Sequence, residues 1–260
     1  MRWDGAVALV TGASRGIGRA VARQAAGRGA RVGLVARSTA DLDEVLSLIG
    51  GRGVAVPADV ADAARVADAA RRVEEALGPV DIVVANAGIG AYGPFAATDP
   101  GEVERLTRVN WLGTAHVVRA VVPGMVERRR GHVAVVASIA GRMGAPLEAL
   151  YSATKFAQVG LAEALAVELA PYGIGVSVVN PGPVATDFFA ARGSPYDRRF
   201  PRRVSPERVA AVVVEAVERG QAERFVPRWL RPALVSRVLV PPLYRWGARR
   251  AVPTTEGVAT

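Results

Sequence analysis

The feature that most constrains this chain is a glycine-rich turn set between an apolar run and a helical pattern. Residues 6–10 are apolar, Thr11-Gly12-Ala13-Ser14-Arg15-Gly16-Ile17-Gly18 follows, and a helix-like stretch runs over 16–28. Glycines let a backbone turn sharply and approach a ligand where a Cβ would obstruct it. A helix that begins at such a turn aims free N–H groups and a partial positive charge at its occupant, an arrangement suited to a pyrophosphate. An ordinary glycine-capped turn is the bland alternative, and the placement between first strand and first helix argues against it.

The rest of the chain repeats that rhythm. Strand-like runs fall at 31–36, 54–57, 80–85, 132–137, 175–179 and 224–226, and helical patterns at 40–49, 61–77, 100–129, 151–170 and 206–219. The early strands are apolar on both faces, as buried parallel strands are. Seven strands with helical crossovers predict an α/β fold, a doubly wound parallel sheet with helices on both faces. With 260 residues, half of them apolar, the chain suits one well-packed domain.

Composition excludes some chemistry. There is no cysteine, and the only histidines are His116 and His132. Thiolate metal sites and disulfides are excluded, no metal site is expected, and a Ser-His-Asp triad is disfavoured. The N-terminus lacks the charged start and apolar run of a signal peptide, and no stretch is apolar for long enough to span a bilayer, so a cytoplasmic protein is the expectation. The net charge is +9, and residues 224–260 alone carry seven arginines against one glutamate. Such a surface could face phosphates, anionic lipid or acidic partners, or reflect composition alone. No helix-turn-helix, zinc or aromatic-basic strand motif accompanies the charge, and nucleic-acid binding is set aside.

Rare residues are more telling. Among 33 cationic side chains only Lys155 is a lysine, so one position needs a compact ammonium that the planar guanidinium does not imitate. It stands four residues after Tyr151, which places both on one helix face. A neighbouring ammonium favours the phenolate and is expected to lower the phenol pKa, fitting Tyr151 to exchange a proton with a carbonyl or alcohol oxygen. An exposed Tyr–Lys pair is the alternative. Ser138 ends the fifth strand, at the sheet edge where open α/β folds place ligands, and its hydroxyl could bond a substrate oxygen. Asn110 sits within a helical pattern despite poor propensity, a local rule broken as functional sites break them. A polar residue on a solvated face is the rival reading.

The second strand ends at Ala36-Arg37-Ser38, where a site built for both ribose hydroxyls of NAD carries Asp or Glu. Arg37, with Arg15 from the glycine turn, suits a 2′-phosphate instead, so NADP(H) is expected. Surface arginines in an arginine-rich chain are the alternative. Asp59-Val60 follows the third strand and Asn86-Ala87-Gly88 the fourth. Asp59 could cap the next helix and Asn86 could stabilise a turn.

The spacing Gly-x-x-x-Gly-x-Gly at Gly12, Gly16 and Gly18, followed in order by the segments above, resembles the short-chain dehydrogenase/reductase family from Ala6 to about Pro227. The resemblance implies a Rossmann fold and an NADP(H)-dependent oxidoreductase of alcohols and ketones. By it, Ser138, Tyr151 and Lys155 match the family triad, with Lys155 on the nicotinamide ribose, and Asn110 matches the asparagine supporting a water relay to the lysine. Gly12, Ser14, Arg15, Gly16, Ile17 and Gly18 match the pyrophosphate turn, Arg37 and Ser38 the adenosine-phosphate end. Asp59 and Val60 match the residues at the adenine, and Asn86, Ala87 and Gly88 the loop against its ribose. Pro181, Gly182, Val184 and Thr186 match the loop over the nicotinamide. Family members similar to this one pair through the helices matching 100–129 and 151–170, implying a homodimer or homotetramer.

Residues 187–204, rich in Phe, Arg, Gly and Pro, read as a substrate lid. Phe188, Phe189, Tyr196 and Phe200 could line an apolar pocket or staple the lid down. Residues 228–260 read as a basic, apolar extension of the 1–227 domain. Its Trp229, Tyr244 and Trp246 suit an interface and its arginines suit anionic headgroups, so peripheral membrane contact through 228–250 is one expectation; packing on a subunit or the domain is the other. Pro241-Pro242 should break any helix there, 243–250 could form a further turn or two, and 254–260 should fray. Three functions stay open: a reductase of bulky or lipid-like ketones, a 3-oxoacyl carrier-protein reductase, and a non-catalytic NADP(H)-binding regulator.

Overall fold

The computed structural model describes residues 1–197, 199 and 201–242. Seven strands, β1 (Val7–Thr11), β2 (Arg31–Ala36), β3 (Gly53–Pro57), β4 (Ile82–Ala85), β5 (Gly131–Val136), β6 (Ile174–Pro181) and β7 (Glu223–Val226), form one parallel sheet in the order β3-β2-β1-β4-β5-β6-β7. Strand order reverses between β1 and β4, which is where doubly wound sheets open a ligand crevice at the carboxyl edge.

Alternate residues of each strand serve opposite cores, so both faces had to be apolar. Ala8, Val10, Val32, Leu34 and Val84 pack under α1 (Gly16–Ala26), α2 (Thr39–Leu48) and α8 (Pro206–Arg219). Val7, Leu9, Val35, Val83, Val133 and Val135 pack under α3 (Ala63–Leu77), α5 (Gly113–Arg128) and α6 (Ala149–Leu169). Each such valine or leucine contributes about 1.5–3 kcal/mol, and a polar replacement forfeits that and strands a buried polar group.

The helix expected over 100–129 is interrupted. Proline-started α4 (Pro100–Leu106) passes into a π-helical turn, Thr107–Leu112, before α5. The turn carries Asn110, and an inserted π turn leaves no trace in an apolar 3.6-residue pattern. After β7 the chain makes a short 3₁₀ turn, Arg228–Leu230, then α9 (Arg231–Leu239), which ends just ahead of Pro241-Pro242. Phe200 and everything expected of 243–260, Tyr244 and Trp246 included, lie outside the described residues.

Candidate active site

The glycine turn closes around the β1 and β4 ends. Gly12 (φ +62°) and Gly16 (φ +54°) adopt left-handed conformations. A Cβ on Gly18 would stand 2.1 Å from the Gly12 carbonyl oxygen, and one on Gly12 2.9 Å from the Asn86 amide nitrogen. Asn86 Nδ2 donates to Thr11 O (2.9 Å), and the Asn86 and Ala87 amides both donate to Thr11 Oγ1. Asn86 therefore ties β4 to β1, the structural role weighed for it, while exposed Gly88 leaves the loop open to a ligand.

The first turn of α1 has no side-chain cap and no acidic residue, so its N–H groups face outward beside Ser14 and Ile17. Arg15 and Arg37 are exposed, and neither is in an ion pair among the described residues. Ser38 caps α2 by accepting from the Asp41 amide (3.3 Å). Asp59 does not cap the helix after it; Asp62 does, through the Ala64 and Arg65 amides, and Asp59 instead accepts from Ala61 N (3.0 Å) at an exposed turn. Val60 is buried against Gly113 of α5. A Cβ on Gly16 would meet Thr186 Cγ2 at 3.1 Å, so the glycine turn and the Pro181–Thr186 segment flank the same crevice at the carboxyl edge of the sheet. Gly182 donates to Val226 O (2.7 Å) and packs against Leu230, while Val184 bridges to Val204 and joins the two ends of the segment between them. An uncapped helix start and Cβ-free walls fit a nicotinamide dinucleotide, and Arg15 and Arg37 stand exposed beside them.

Tyr151 and Lys155 face this cleft from α6, 8% and 3% exposed, which rules out an exposed pair. Lys155 Nζ lies 5.6 Å from the Tyr151 ring centre and donates to Val136 O (3.2 Å). Ser138, just past the end of β5, accepts from Ala140 N (3.1 Å) and stands beside the Tyr151 phenol, where its hydroxyl favours the phenolate. Asn110 is fully buried, not on a solvated face. Its side chain accepts from Ile89 N (2.8 Å) and donates to Ile89 O (2.9 Å) and Thr154 Oγ1 (3.0 Å), which locks the loop after β4 onto α6. Its carbonyl receives Thr114 Oγ1 and Gln158 Nε2.

Electrostatics depart from the simple expectation for the phenol. Burial pushes the Tyr151 pKa up, opposed by the Ser138 hydrogen bond, while Glu148 adds to the rise and Arg192 counters it. Burial lowers Lys155 to about 7. The ammonium was expected to acidify the phenol; low-dielectric surroundings disfavour both charged forms and win.

Residues 187–197 bring the aromatics expected there together with three residues that sequence reasoning missed, Arg192, Tyr92 and Glu148. Phe188, on α7 (Phe188–Ala191), packs 5.4 Å from the Tyr151 ring, and Phe189 packs on Phe188 and Tyr196. Arg192, its side chain 5% exposed, stacks at 4.6 Å on both Tyr92 and Phe189. Its Nη1 lies 2.5 Å from Glu148 Oε1, within ion-pair distance but off the hydrogen-bond direction. The spacing of Glu148 three residues ahead of Tyr151 was a usable signal; one buried guanidinium among so many arginines was not. Ile89, Ala91, Ala145 and Leu150 complete apolar walls around the phenol. A cavity of about 570 Å³ lined by Arg23, Gln24, Leu48 and Arg52 opens at the far ends of α1 and α2 and contains none of these residues.

The family model for short chain dehydrogenases matches residues 6–197. The chain belongs to that family. This short-chain dehydrogenase is 43% identical to glycine betaine reductase ATRR of Emericella nidulans over 71% of its own length, but spans only 15% of that protein. It is 34% identical to the 3-dehydrosphinganine reductase of Danio rerio, with 85% of this chain and 70% of the relative covered. Among solved structures, a 3-ketoacyl-(acyl-carrier-protein) reductase from Brucella melitensis complexed with NADH superposes with TM-score 0.81 at 30% identity, over 86% of this chain and 97% of that one. An alcohol dehydrogenase from Thermococcus sibiricus complexed with 5-hydroxy-NADP gives 0.77 at 28% identity, over 85% and 95%.

Proposed function

We propose that this short-chain dehydrogenase is an NADP(H)-dependent oxidoreductase that interconverts a secondary alcohol and its ketone, with a bulky or lipid-like apolar substrate. The observation that carries the reading is the buried Tyr151–Lys155 pair, with half-buried Ser138 beside the phenol, facing the glycine-lined cleft. Arg15 and Arg37 would hold the 2′-phosphate, the α1 N-terminus would receive the pyrophosphate, and Lys155 would bond the nicotinamide ribose. When bound, the reduced nicotinamide supplies the hydride.

The chain's own residues do the rest. Ser138 and Tyr151 grip the substrate oxygen, and Ser138 stabilises the charge developing there. Tyr151 gives that oxygen its proton. A phenol whose pKa is raised by burial stays protonated, which suits it to donate in the reductive direction. Asn110 fixes α6 against the loop after β4 and so holds Tyr151 and Lys155 in register. Phe188 and the walls at Ile89, Ala91, Ala145 and Leu150 exclude water and favour apolar groups.

A second reading is a 3-oxoacyl carrier-protein reductase. Exposed Arg199, Arg202 and Arg203 on the lid favour it, since they offer a basic rim to an acidic carrier. Exposed Val235, Leu239 and Val240 beside Arg231 support peripheral membrane contact by the extension. No helix among the described residues is long and apolar enough to cross a membrane. A dimer or tetramer through α4–α6 belongs to the same proposal. The test is NADPH oxidation against long-chain free ketones and a 3-oxoacyl carrier protein, with flotation on anionic liposomes. Turnover of the free ketones supports the first reading, turnover confined to the carrier-bound substrate the second, and nucleotide binding without turnover on either overturns both in favour of a regulator.

A further inference from the structure

Three segments far apart in sequence meet over the catalytic phenol. The lid contributes Phe188, Phe189 and Arg192; the loop after β4 contributes Gly90 and Tyr92; the entrance to α6 contributes Glu148. Their fit is close. A Cβ on Gly90 would stand 2.7 Å from Phe188 Cζ and 3.1 Å from Arg192 Cβ. The Gly93 amide donates to Leu147 O (2.8 Å), which joins the two anchoring segments next to Glu148. The guanidinium is flanked by two aromatic rings, and its Nε donates back to Ser194 O (3.3 Å) within the lid.

Such an arrangement asks for a reason. Arginine is costly to bury, and this side chain is only 5% exposed in a segment whose other described arginines, Arg199, Arg202 and Arg203, are exposed. A buried ion pair is weak evidence for stability, since apolar replacements often do as well, and its best use is to fix one arrangement among several. The arrangement fixed here is the lid's. α7 is only four residues long, and Arg192 is the residue that follows it. Anchoring Arg192 therefore sets where Phe188 lies, and Phe188 lies on the Tyr151 ring.

We propose that Glu148 and Arg192 form a clasp that shuts residues 187–196 over the active site, with Arg192 the positioning residue that holds Phe188 against Tyr151. The inference rests on the catalytic reading above for its kinetic consequence, but not for its structural one. The clasp acts on ketone binding. Glu148 and Arg192 themselves meet Tyr92, Phe189 and Ser194 rather than the glycine turn, and the segment reaches the nucleotide side only where Phe188 N donates to Thr186 Oγ1 (3.4 Å).

Limited trypsinolysis reads the clasp directly, because the Arg192 side chain that trypsin must engage is 5% exposed when the clasp is shut, whereas Arg202 is exposed. In Glu148→Gln, which is nearly isosteric, cleavage after Arg192 should quicken about tenfold relative to cleavage after Arg202. In turnover assays Glu148→Gln and Arg192→Met should each raise KM for an apolar ketone about tenfold, with kcat within threefold and the NADPH Kd unchanged. The double variant should be no worse than either single, as partners in one contact behave. Arg192→Lys, which keeps the charge and loses the flat stack, should fall between parent and Arg192→Met. Equal cleavage after Arg192 in parent and Glu148→Gln, or additive KM effects, overturns the clasp. A collapse of kcat at constant KM also overturns it, by assigning the pair to the chemistry on Tyr151. Should Arg192→Met not fold, Glu148→Gln decides alone. Failure of the catalytic reading looks different: no ketone is turned over by the parent, while the cleavage pattern stands.

Discussion

Replacing Lys155 with methionine should make the nucleotide-free protein more stable while destroying its activity. The amine is 3% exposed, its one hydrogen-bond partner is Val136 O at 3.2 Å, and desolvation alone brings its pKa from 10.5 down to about 7. At about 1.4 kcal/mol per pH unit, holding the ammonium in the folded chain costs roughly 5 kcal/mol at full protonation. The folded chain binds this proton less tightly than the unfolded one, so the cost is absent above pH 10.5, grows as pH falls toward 7 and is complete below that. At pH 7.5 most of it is in force. Methionine has a similar length, no charge and no need of a partner. Allowing for relaxation around the amine, Lys155→Met should gain about 2–4 kcal/mol at pH 7.5. Urea unfolding of both proteins without nucleotide measures this, and the gap should narrow on going to pH 10. A variant that is less stable at pH 7.5, or a gap indifferent to pH, would show that the ammonium is already compensated and refute the burial argument.

Other perturbations follow from the same geometry. His132, buried with Nε2 2.8 Å from Ser177 Oγ, has its pKa lowered to about 4 by burial, so stability should be full above pH 6.5 and fall by roughly 3 kcal/mol as pH drops to 4, with a shallower fall in His132→Gln by urea midpoints. Gly18→Ala should cost at least about 1–3 kcal/mol and weaken NADPH binding, because its Cβ would meet the Gly12 carbonyl at 2.1 Å. Gly144→Ala, with nothing within 4 Å, should leave both thermal stability and nucleotide titrations near parent values. Arg37→Ala should raise the NADPH Kd by roughly ten- to a hundredfold, the worth of a charge-assisted bond, and leave the NADH Kd within twofold by fluorescence titration.

The sheet could be read from the chain because its strands are buried on both faces, and parallel strands so buried leave unbroken apolar runs. The cleft could be read because its glycines are demanded by backbone geometry: Gly18 has no space for a Cβ, and Gly12 and Gly16 have positive φ. Lys155 stood out by being alone in an arginine-rich chain. What stayed hidden depends on depth and on distant neighbours. A π turn at 107–112 adds no residue type that a helix lacks, so only the poor fit of Asn110 hinted at it. The phenol's pKa followed from burial, which spacing does not report, and its direction was misjudged from the neighbouring charge alone. Arg192 looked like every other arginine until Tyr92, Phe189 and Glu148 closed around it.

The central claim is that one buried phenol moves the proton. Tyr151→Phe removes a single oxygen from a site whose packing on Phe188 is made by the ring. With a ketone that the parent reduces, the account predicts unchanged NADPH affinity, unchanged thermal stability within a few degrees, and a loss of at least about a hundredfold in kcat, the usual contribution of a positioned general acid. Near-parental turnover in Tyr151→Phe, with the nucleotide still bound, would contradict it.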